Sequence, residues 1–340
     1  MPLWTDLITP AEATGYIRTA LEDLEVNRPS LNRYLPSEFV NDISVRFRKG
    51  RAGFITEAQF RAFDAEPEFA GSQTGQRVTV ELPALGQQRA VSEYDQLRNR
   101  NAGDQEIRDA ILSDLRAVAV AIFDRIERLR GTVITTGRAT VAQENFSFDD
   151  DFGRRADHNT TATELWDAAG TVSRLEYLNT LTDLYSDSND GTEPGVFLMS
   201  KKVYRSLIRG REFSLVLADG TVRPGDLQAV GTLMDREGLP GIEIYDRSTA
   251  GGRVLPQDSL FLLPAPTSPT GESDLGRTYW GRTLTSMDSN YGLVGGEQPG
   301  VVAGAFKADR IPHIASVESD AIALPVLTNA DLSLKAKVIA

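Results

Sequence analysis

One long amphipathic segment constrains the fold of this chain more than any other feature. In residues 104–130, apolar side chains recur every three or four positions from Ile107 to Leu129, which is the spacing of one buried stripe on an α-helix. Asp104 is placed to cap the first turn, and Gly131 predicts the end of the helix. At about 1.5 Å per residue this helix is roughly 40 Å long. On pattern alone, an ordinary amphipathic core helix remains the simplest interpretation.

The composition is that of a globular protein with a sizeable core. The chain has 340 residues, of which 41% are hydrophobic and 25% charged, enough for one large domain or two to three smaller ones. No apolar run is long enough for a membrane span. The first residues lack a basic region followed by an apolar one, so we expect no secretory signal and a protein that acts in the cytoplasm where it is made.

Residues that support common catalytic chemistry are scarce. The chain has no cysteine, which excludes disulfides, zinc–thiolate sites and thiol nucleophiles. Its two histidines are His158, which we predict to be solvated in a polar loop, and His313, which we predict to be a packed neutral imidazole. No phosphate loop, dinucleotide fingerprint or nucleophile elbow is present. We therefore predict no catalytic residue, no cofactor and no metal; an enzyme would need a carboxylate-only site.

The charge is strongly acidic. A formal net charge of −12 disfavours a protein that grips nucleic acid over its whole surface and suits one that sits near a polyanion without adhering to it. Lysine supplies only six of the 36 basic residues. The arginine excess has two explanations, which the sequence leaves open: interfaces rich in arginine–carboxylate contacts, or codon bias.

The N-terminal part predicts a helix, an extended arm and a long excursion. Thr9, Pro10 and Glu12 form a start signal for a helix over residues 9–27. Two prolines keep residues 28–38 extended, and a short strand follows at 43–47. Residues 49–90 alternate charge and apolarity around several glycines, which predicts a two-stranded excursion with a glycine-rich tip. An isolated hairpin is marginally stable, so it needs another surface in this subunit or the next.

The remainder predicts a strand pair, an α/β unit and a β-rich tail. Thr136-Gly137 is predicted as a tight turn between strands at 133–134 and 139–141. The acids at 149–151 lack the spacing of a calcium loop, so we predict a solvated acidic loop. Helices at 170–186, after Ser200 and at 226–237 alternate with strands at 195–199, 242–245 and 260–263. The tail from Gly276 ends in a half-exposed strand.

This order of elements resembles the major capsid proteins of tailed phages, and in particular the lambda-type family with the Hong Kong 97-type capsid fold. The resemblance is clearest at residues 58–140, where AQFRAFDAEPEFAGSQTGQRVTVELPALGQQ leads to the long helix and then to RGTVITTGRATV. It returns in QAVGTLMDREGLPGIEIYDRS and in the β-rich tail. The resemblance implies an α+β fold of this type, with an N-terminal arm, an extended loop, a peripheral domain with a long spine helix and an axial α/β domain.

The resemblance also implies a division of the chain. Residues 1–48 would be the N-terminal arm and 49–90 the extended loop over a neighbouring subunit. Residues 91–160 would be the peripheral domain with the spine helix at 104–130. Residues 161–290 would be the axial domain, and 291–340 a β-rich tail that returns to both domains.

The function implied is that of a major capsid protein that assembles into pentamers and hexamers of an icosahedral shell. The expected partners are the protein itself, a separate scaffold protein, a portal and a decoration protein where one exists. Packaged double-stranded DNA would lie inside without sequence-specific binding, no membrane is involved, and the subunit would join the virion after assembly in the host cytoplasm. The predicted inter-subunit contacts are Tyr34, Leu35, Arg61, Phe63, Glu68, Phe69, Arg77 and Glu81.

Some members of this family join their loops through a Lys–Asn isopeptide bond. Here the only lysine near the loop is Lys49, at its base, so we expect no such crosslink. Two alternatives remain at this stage. One is the shell protein of a cellular nanocompartment with the same fold, and the other is a carboxylate-dependent hydrolase with an α/β core at residues 160–290.

Overall fold

The computed structural model describes residues 3–48, 77–91, 93–98, 104–143, 146–167, 173–216, 222–224, 227–268, 271–294 and 298–340. Within these ranges the fold is mixed α and β, with one very long helix and two five-stranded sheets. No helix in the described part of the chain is long and apolar enough to span a membrane. The described helices are α1 (Pro10–Asn27), α2 (Glu93–Arg98), α3 (Asp104–Thr136), α4 (Arg174–Ser188), α5 (Lys201–Leu207) and α6 (Leu227–Arg236).

The strands are short except for one near the C-terminal end. They are β1 (Ser37–Phe39), β2 (Ser44–Arg48), β3 (Arg77–Glu81), β4 (Ala84–Val91), β5 (Arg138–Gln143), β6 (Phe146–Asp151), β7 (Asn159–Thr161), β8 (Val196–Met199), β9 (Ser214–Val216), β10 (Val222–Pro224), β11 (Gly241–Ile244), β12 (Ser248–Thr249), β13 (Gly252–Arg253), β14 (Ser259–Leu263), β15 (Gly276–Trp280), β16 (Val302–Lys307), β17 (Ala315–Leu327) and β18 (Leu334–Lys337).

The first helix begins as its sequence predicts. Thr9 Oγ1 accepts a hydrogen bond from the backbone N–H of Glu12, and the Glu12 carboxylate accepts one from the backbone N–H of Thr9. This reciprocal pair satisfies two amides that a helix N-terminus otherwise leaves free. Pro10 occupies the first helical position, where it costs no hydrogen bond. α1 then buries Ile17 in the same apolar cluster as the middle of α3.

The long helix is longer than predicted. α3 spans 33 residues and continues to Thr136, so the predicted stop at Gly131 is wrong. Gly131 is needed for close packing instead, because a Cβ at this position would overlap the carbonyl oxygen of Val254. The helix ends at Gly137, whose φ of 71° is the left-handed conformation that favours glycine after a helix.

The strand pair after the helix also differs from the prediction. Residues 133–134 are helical, and β5 pairs with β6 instead, in the register Arg138↔Asp151 to Gln143↔Phe146. The acids at 149–151 therefore lie in a strand and not in a solvated loop. Arg138 lies 3.4 Å from Asp149 and 3.7 Å from Asp151. These cross-strand contacts compensate for the low strand propensity of aspartate.

One sheet is organised around β17. The first half of β17 pairs antiparallel with both β4 and β16, and its second half pairs antiparallel with β15. β15 in turn pairs in parallel with β1, which forms an edge of this sheet. α3 packs against the middle of this sheet and against α1. The resulting apolar cluster contains Ile17, Leu115, Ile122, Trp280 and Val317 among others.

The other sheet belongs to the α/β unit and has the order β11-β8-β14-β18-β7. β8 and β14 are buried along their whole length, as expected for central strands covered on both faces. Ser200 caps α5 by accepting a hydrogen bond from the backbone N–H of Val203, which confirms the predicted start. β18 alternates buried and half-buried residues, so its predicted alternation is confirmed.

Candidate assembly surface

The base of the predicted excursion is a two-stranded ribbon. β2 and β3 pair antiparallel, and within the described residues neither pairs with another strand. One face of the ribbon rests on its own subunit, because Val45 and Val80 are buried and the Phe47 ring lies 6.2 Å from that of Phe152. The ribbon is therefore anchored at the end from which residues 49–76 depart.

The predicted contact residues fall into three groups. Arg77 and Glu81 are the first and last residues of β3, and the Glu81 side chain is exposed. Tyr34 and Leu35 are buried inside their own subunit, which leaves them no surface for a neighbour. The remaining contact residues, Arg61, Phe63, Glu68 and Phe69, lie outside the described residues, as does Lys49.

The position of Tyr34 is fixed by a carboxylate of the α/β unit. Its hydroxyl donates a 2.8 Å hydrogen bond to Oε2 of Glu243, whose Oε1 lies 3.1 Å from Arg33. Burial raises the pKa of the Tyr34 phenol, and the neighbouring Glu243 charge raises it further. The segment after α1 is thus held against β11 by the contacts of Arg33 and Tyr34 with Glu243 and by the burial of Tyr34 and Leu35.

A groove opens beside the ribbon, between the start of β4, the middle of α3 and the tip of the β5–β6 hairpin. Its volume is about 310 Å³. Val141 and Leu129 contribute apolar walls, and Phe146, which is 43% exposed, lines the hairpin side. Arg125 is the only charged group among the described residues that line this groove. Burial lowers the pKa of Arg125, and the adjacent Arg128 lowers it further.

A buried charged junction on α3 joins this helix to α1, to the segment after α1, to β15 and to the α/β unit. Glu127 and Arg130 have fully buried side chains on α3. Glu127 Oε1 accepts hydrogen bonds from the Leu31 backbone N–H and the Tyr245 hydroxyl, each at 2.6 Å. Because its partners lie on α1, on the segment after α1, on β15 and directly after β11, the junction fixes how these parts of the chain meet α3. Arg130 donates to Thr278 Oγ1 at 2.9 Å, Glu25 Oε1 at 2.9 Å, Asn32 Oδ1 at 3.1 Å and Ser37 Oγ at 3.2 Å.

Sequence reasoning missed this junction, although a signal was present. In the sequence, Arg130 is one of three arginines, with Arg125 and Arg128, that precede Gly131 and indicate the last turn of the predicted helix. Glu127 follows Phe123 by four residues and Arg130 follows Ile126 by four, so both fall on the apolar stripe of the helix. Charged residues within such a stripe indicate buried, paired groups.

Neither histidine is where the sequence predicted. His158 is buried and not solvated: its Nε2 lies 2.7 Å from Ser188 Oγ, and it packs under Tyr185. Burial lowers its pKa. His313 is exposed and not packed, with Nδ1 3.1 Å from the carbonyl oxygen of Ala308. The reason is that β16 and β17 close around residues 308–314 as a solvent-facing turn.

The Ser188–His158 contact does not form a nucleophilic site. Ser188 Oγ donates to the carbonyl of Leu184 at 2.8 Å, and among the described residues no hydrogen-bond acceptor orients Nδ1 of His158. A Ser-His-acid arrangement needs a carboxylate at that nitrogen. In the part of the chain that the structure describes, no group of three acidic or histidine side chains is placed to hold a metal ion.

Several solved structures share the fold of this chain. A prophage capsid protein of E. coli CFT073 has a TM-score of 0.60 at 14% identity, over 96% of this chain and 99% of that chain. A phage-related protein of Bordetella bronchiseptica RB50 has a TM-score of 0.56 at 14% identity, over 95% and 96%. The capsid of a native gene transfer agent particle has a TM-score of 0.53 at 15% identity, over 92% and 90%.

The chain therefore has the Hong Kong 97-type capsid fold, which confirms the predicted fold class. The model of the family described as phage major capsid protein E matches residues 45–338, and the chain belongs to this family. Its function is that of a major capsid protein of a phage. No curated protein matches the sequence. The family match favours this function over the nanocompartment alternative, because the family is one of phage capsids.

Proposed function

We propose that subunits assemble into pentamers and hexamers of an icosahedral shell, and that residues 49–76 lie over a neighbouring subunit. The observation that carries this proposal is the anchored ribbon, which holds both ends of that segment side by side at the surface. A segment of this length that runs out and back reaches at most about 45 Å. This distance is comparable with the length of α3, so the segment is long enough to cross onto the next copy.

The same proposal assigns roles along the chain. Residues 1–48 form the N-terminal arm, 49–90 the extended loop, 91–160 the peripheral domain, 161–290 the axial domain and 291–340 a returning β-rich tail. Two observations support this division. α3 and the β17 sheet share one apolar cluster, while the α/β unit has its own sheet.

Assembly in this proposal takes place in the host cytoplasm with a separate scaffold protein and a portal, and a decoration protein binds where one exists. The subunit has a structural role without catalysis. The net charge of −12 supports a shell that encloses DNA without holding it tightly. Many weak repeated contacts between copies then supply stability in place of a Lys–Asn crosslink.

Removal of the loop tests the proposal. Residues 51–74 are replaced by a short Gly-Ser linker, which preserves the β2–β3 pairing and the buried Val45 and Val80. We expect a folded subunit by circular dichroism and hydrogen exchange, but no stable shells by electron microscopy and sedimentation with the scaffold protein. A folded variant that still forms shells of normal stability would contradict the proposed role of the loop.

A further inference from the structure

We infer that the α/β unit has a basic end and an acidic end, and that the basic end of one copy binds the acidic end of a second copy. The two ends are defined by exposed side chains: Lys201, Arg205 and Arg209 at the basic end, and Asp183, Asp187, Asp190 and Glu193 at the acidic end. The inference rests on the proposed function, because it requires copies arranged in rings. It adds the side chains by which neighbouring copies recognise each other.

These charges lie at opposite ends of the five-stranded sheet of the α/β unit. β8 and β18 run in the same direction, since both pair antiparallel with β14, and α5 follows directly where β8 ends. α4 begins beside the end of α5, because Arg174 donates a hydrogen bond to the carbonyl oxygen of Ser206. It ends where Asn189 donates to the carbonyl oxygen of Asp331 at 3.1 Å, just before β18 begins. The 15 residues of α4 therefore separate the two ends by about 22 Å.

Neither end is neutralised within its own subunit. No described carboxylate lies within the 4.0 Å of an ion pair of a basic-end side chain, and no described cation lies that close to an acidic-end carboxylate. By contrast, Arg155 pairs with Asp157 at 2.6 Å and Lys337 pairs with Asp258 at 3.6 Å in the same unit. The uncompensated charges are thus concentrated at the two ends of the sheet.

Both sets of charges also oppose the dipole of the helix that carries them. α5 begins with Lys201 and Lys202 and has no acid in its first turn, although a helix N-terminus favours anions. α4 carries Asp187 in its last turn and has no base there, although a helix C-terminus favours cations. Helix stability therefore does not explain these charges, whereas a partner of opposite charge at each end would compensate them.

A second copy is the partner that fits both ends. DNA is a polyanion and could compensate only the basic end, and a basic protein could compensate only the acidic end. A neighbouring copy supplies both charges, and its potential is complementary to each end in turn. Because the two ends are different surfaces held apart by α4, the contact is heterologous. Repeated head-to-tail contacts of this kind form a closed ring when the rotation between copies closes.

Charge reversal at the basic end tests the electrostatic contact. The variant Arg205→Glu/Arg209→Glu is compared with Arg28→Glu/Arg116→Glu, which reverses two exposed arginines elsewhere and changes the net charge equally. We expect the basic-end variant to raise the subunit concentration needed for half-assembly by about tenfold or more. The control should leave this concentration unchanged, and both variants should unfold at the native temperature.

Reversal at both ends tests complementarity. Asp183→Lys/Asp187→Lys should impair assembly by itself, because two basic ends then face each other. Combined with Arg205→Glu/Arg209→Glu in one chain, it should restore assembly, since the two ends again carry opposite charges. The half-assembly concentration of the native protein should also rise with ionic strength, because salt screens exposed charges.

Chemical cross-linking tests the position independently of stability. The native chain has no cysteine, so Asp187→Cys/Arg205→Cys provides one thiol at each end without background. In shells treated with a short bis-maleimide, each copy should be linked to the next. Denaturing gels should then show a ladder that ends at pentamers and hexamers. Each single-cysteine variant is the control and should give no ladder.

The outcomes separate this inference from the proposed function. Normal shells that yield no cross-links, or only dimers, would overturn head-to-tail contact while leaving shell assembly intact. Normal assembly of the basic-end variant with reduced DNA content would also overturn it, because the arginines would then contact nucleic acid. Absence of shells from the native protein with its scaffold would overturn the proposed function itself.

Discussion

Glu127 and Arg130 lie on adjacent turns of α3 with no exposed side-chain surface, and Glu127 Oε2 is 3.4 Å from Arg130 Nη1. Ser30 donates to the same Glu127 oxygen at 3.0 Å, while Arg130 also reaches Thr278 on β15. A buried ion pair of this kind contributes little net stability compared with apolar packing, but loss of one partner leaves the other charge buried and unpaired. The junction therefore makes the arrangement of three chain segments sensitive to single substitutions.

The first prediction concerns Arg130. Replacing it with methionine preserves much of the volume but leaves the carboxylate of Glu127 without its cation. We expect the free energy of unfolding of the isolated subunit to fall by about 3–5 kcal/mol, measured by urea denaturation. The same substitution at the exposed Arg116 should change it by about 0.5 kcal/mol or less. Equal losses of unfolding free energy at Arg130 and Arg116 would show that burial of the ion pair does not cause the loss.

The second prediction concerns the link from the junction to the α/β unit. The Tyr245 hydroxyl donates a 2.6 Å hydrogen bond to Glu127, and burial raises its pKa, with the Glu127 charge acting in the same direction. Tyr245→Phe removes only the hydroxyl, so we expect a loss of about 1–3 kcal/mol in unfolding free energy. Tyr94→Phe, at a side chain that is 71% exposed, is the matched control. An unchanged unfolding free energy for Tyr245→Phe would show that this hydrogen bond does not contribute to stability.

The third prediction separates helix propensity from close packing. Alanine is the better helix former at either glycine, yet a Cβ at Gly131 would overlap Val254, whereas a Cβ at Gly231 in α6 has no atom within 4 Å. We expect Gly131→Ala to destabilise the subunit by about 1–3 kcal/mol through overpacking. Gly231→Ala should stabilise it by about 0.5–1 kcal/mol. Thermal unfolding of both variants checks the signs, and a stabilised Gly131→Ala variant would refute the close-packing explanation.

The fourth prediction is a pH dependence caused by His158. Burial holds its pKa below the ordinary value of 6.5 in the folded state, so the unfolded state binds the proton first as the pH falls. The stability that the neutral imidazole contributes is therefore present above pH 6.5 and decreases as the pH falls below it. Between neutral and mildly acidic pH, the unfolding free energy of the native chain should fall more steeply than that of His158→Gln. Parallel curves would contradict the prediction.

Local signals in the sequence predicted local structure well. Thr9, Pro10 and Glu12 satisfy backbone groups within one turn, so the start of α1 depends on nothing distant. Ser200 and the apolar run at 196–199 predicted α5 and β8 for the same reason. The order of such elements, together with short matching stretches, was sufficient for the resemblance to a capsid family.

Features that depend on residues far apart in the chain were not predictable in this way. Gly131 carries the usual signal of a helix end, but its role is set by Val254, more than a hundred positions later. His158 sits in a polar stretch, yet α4 supplies Ser188 and Tyr185 to cover it. The groove of Arg125 is formed by three separate elements, and no single stretch of sequence contains its pattern.

The topology of the two sheets has a consequence for the time at which a subunit becomes able to join a shell. β17 is the only described strand that connects β4, β15 and β16, and β18 connects β14 to β7. Neither sheet can close before residues 315–337 have been synthesised. A chain that has not yet been synthesised past residue 337 thus lacks both finished sheets. We therefore expect such a chain to be unable to join a growing shell.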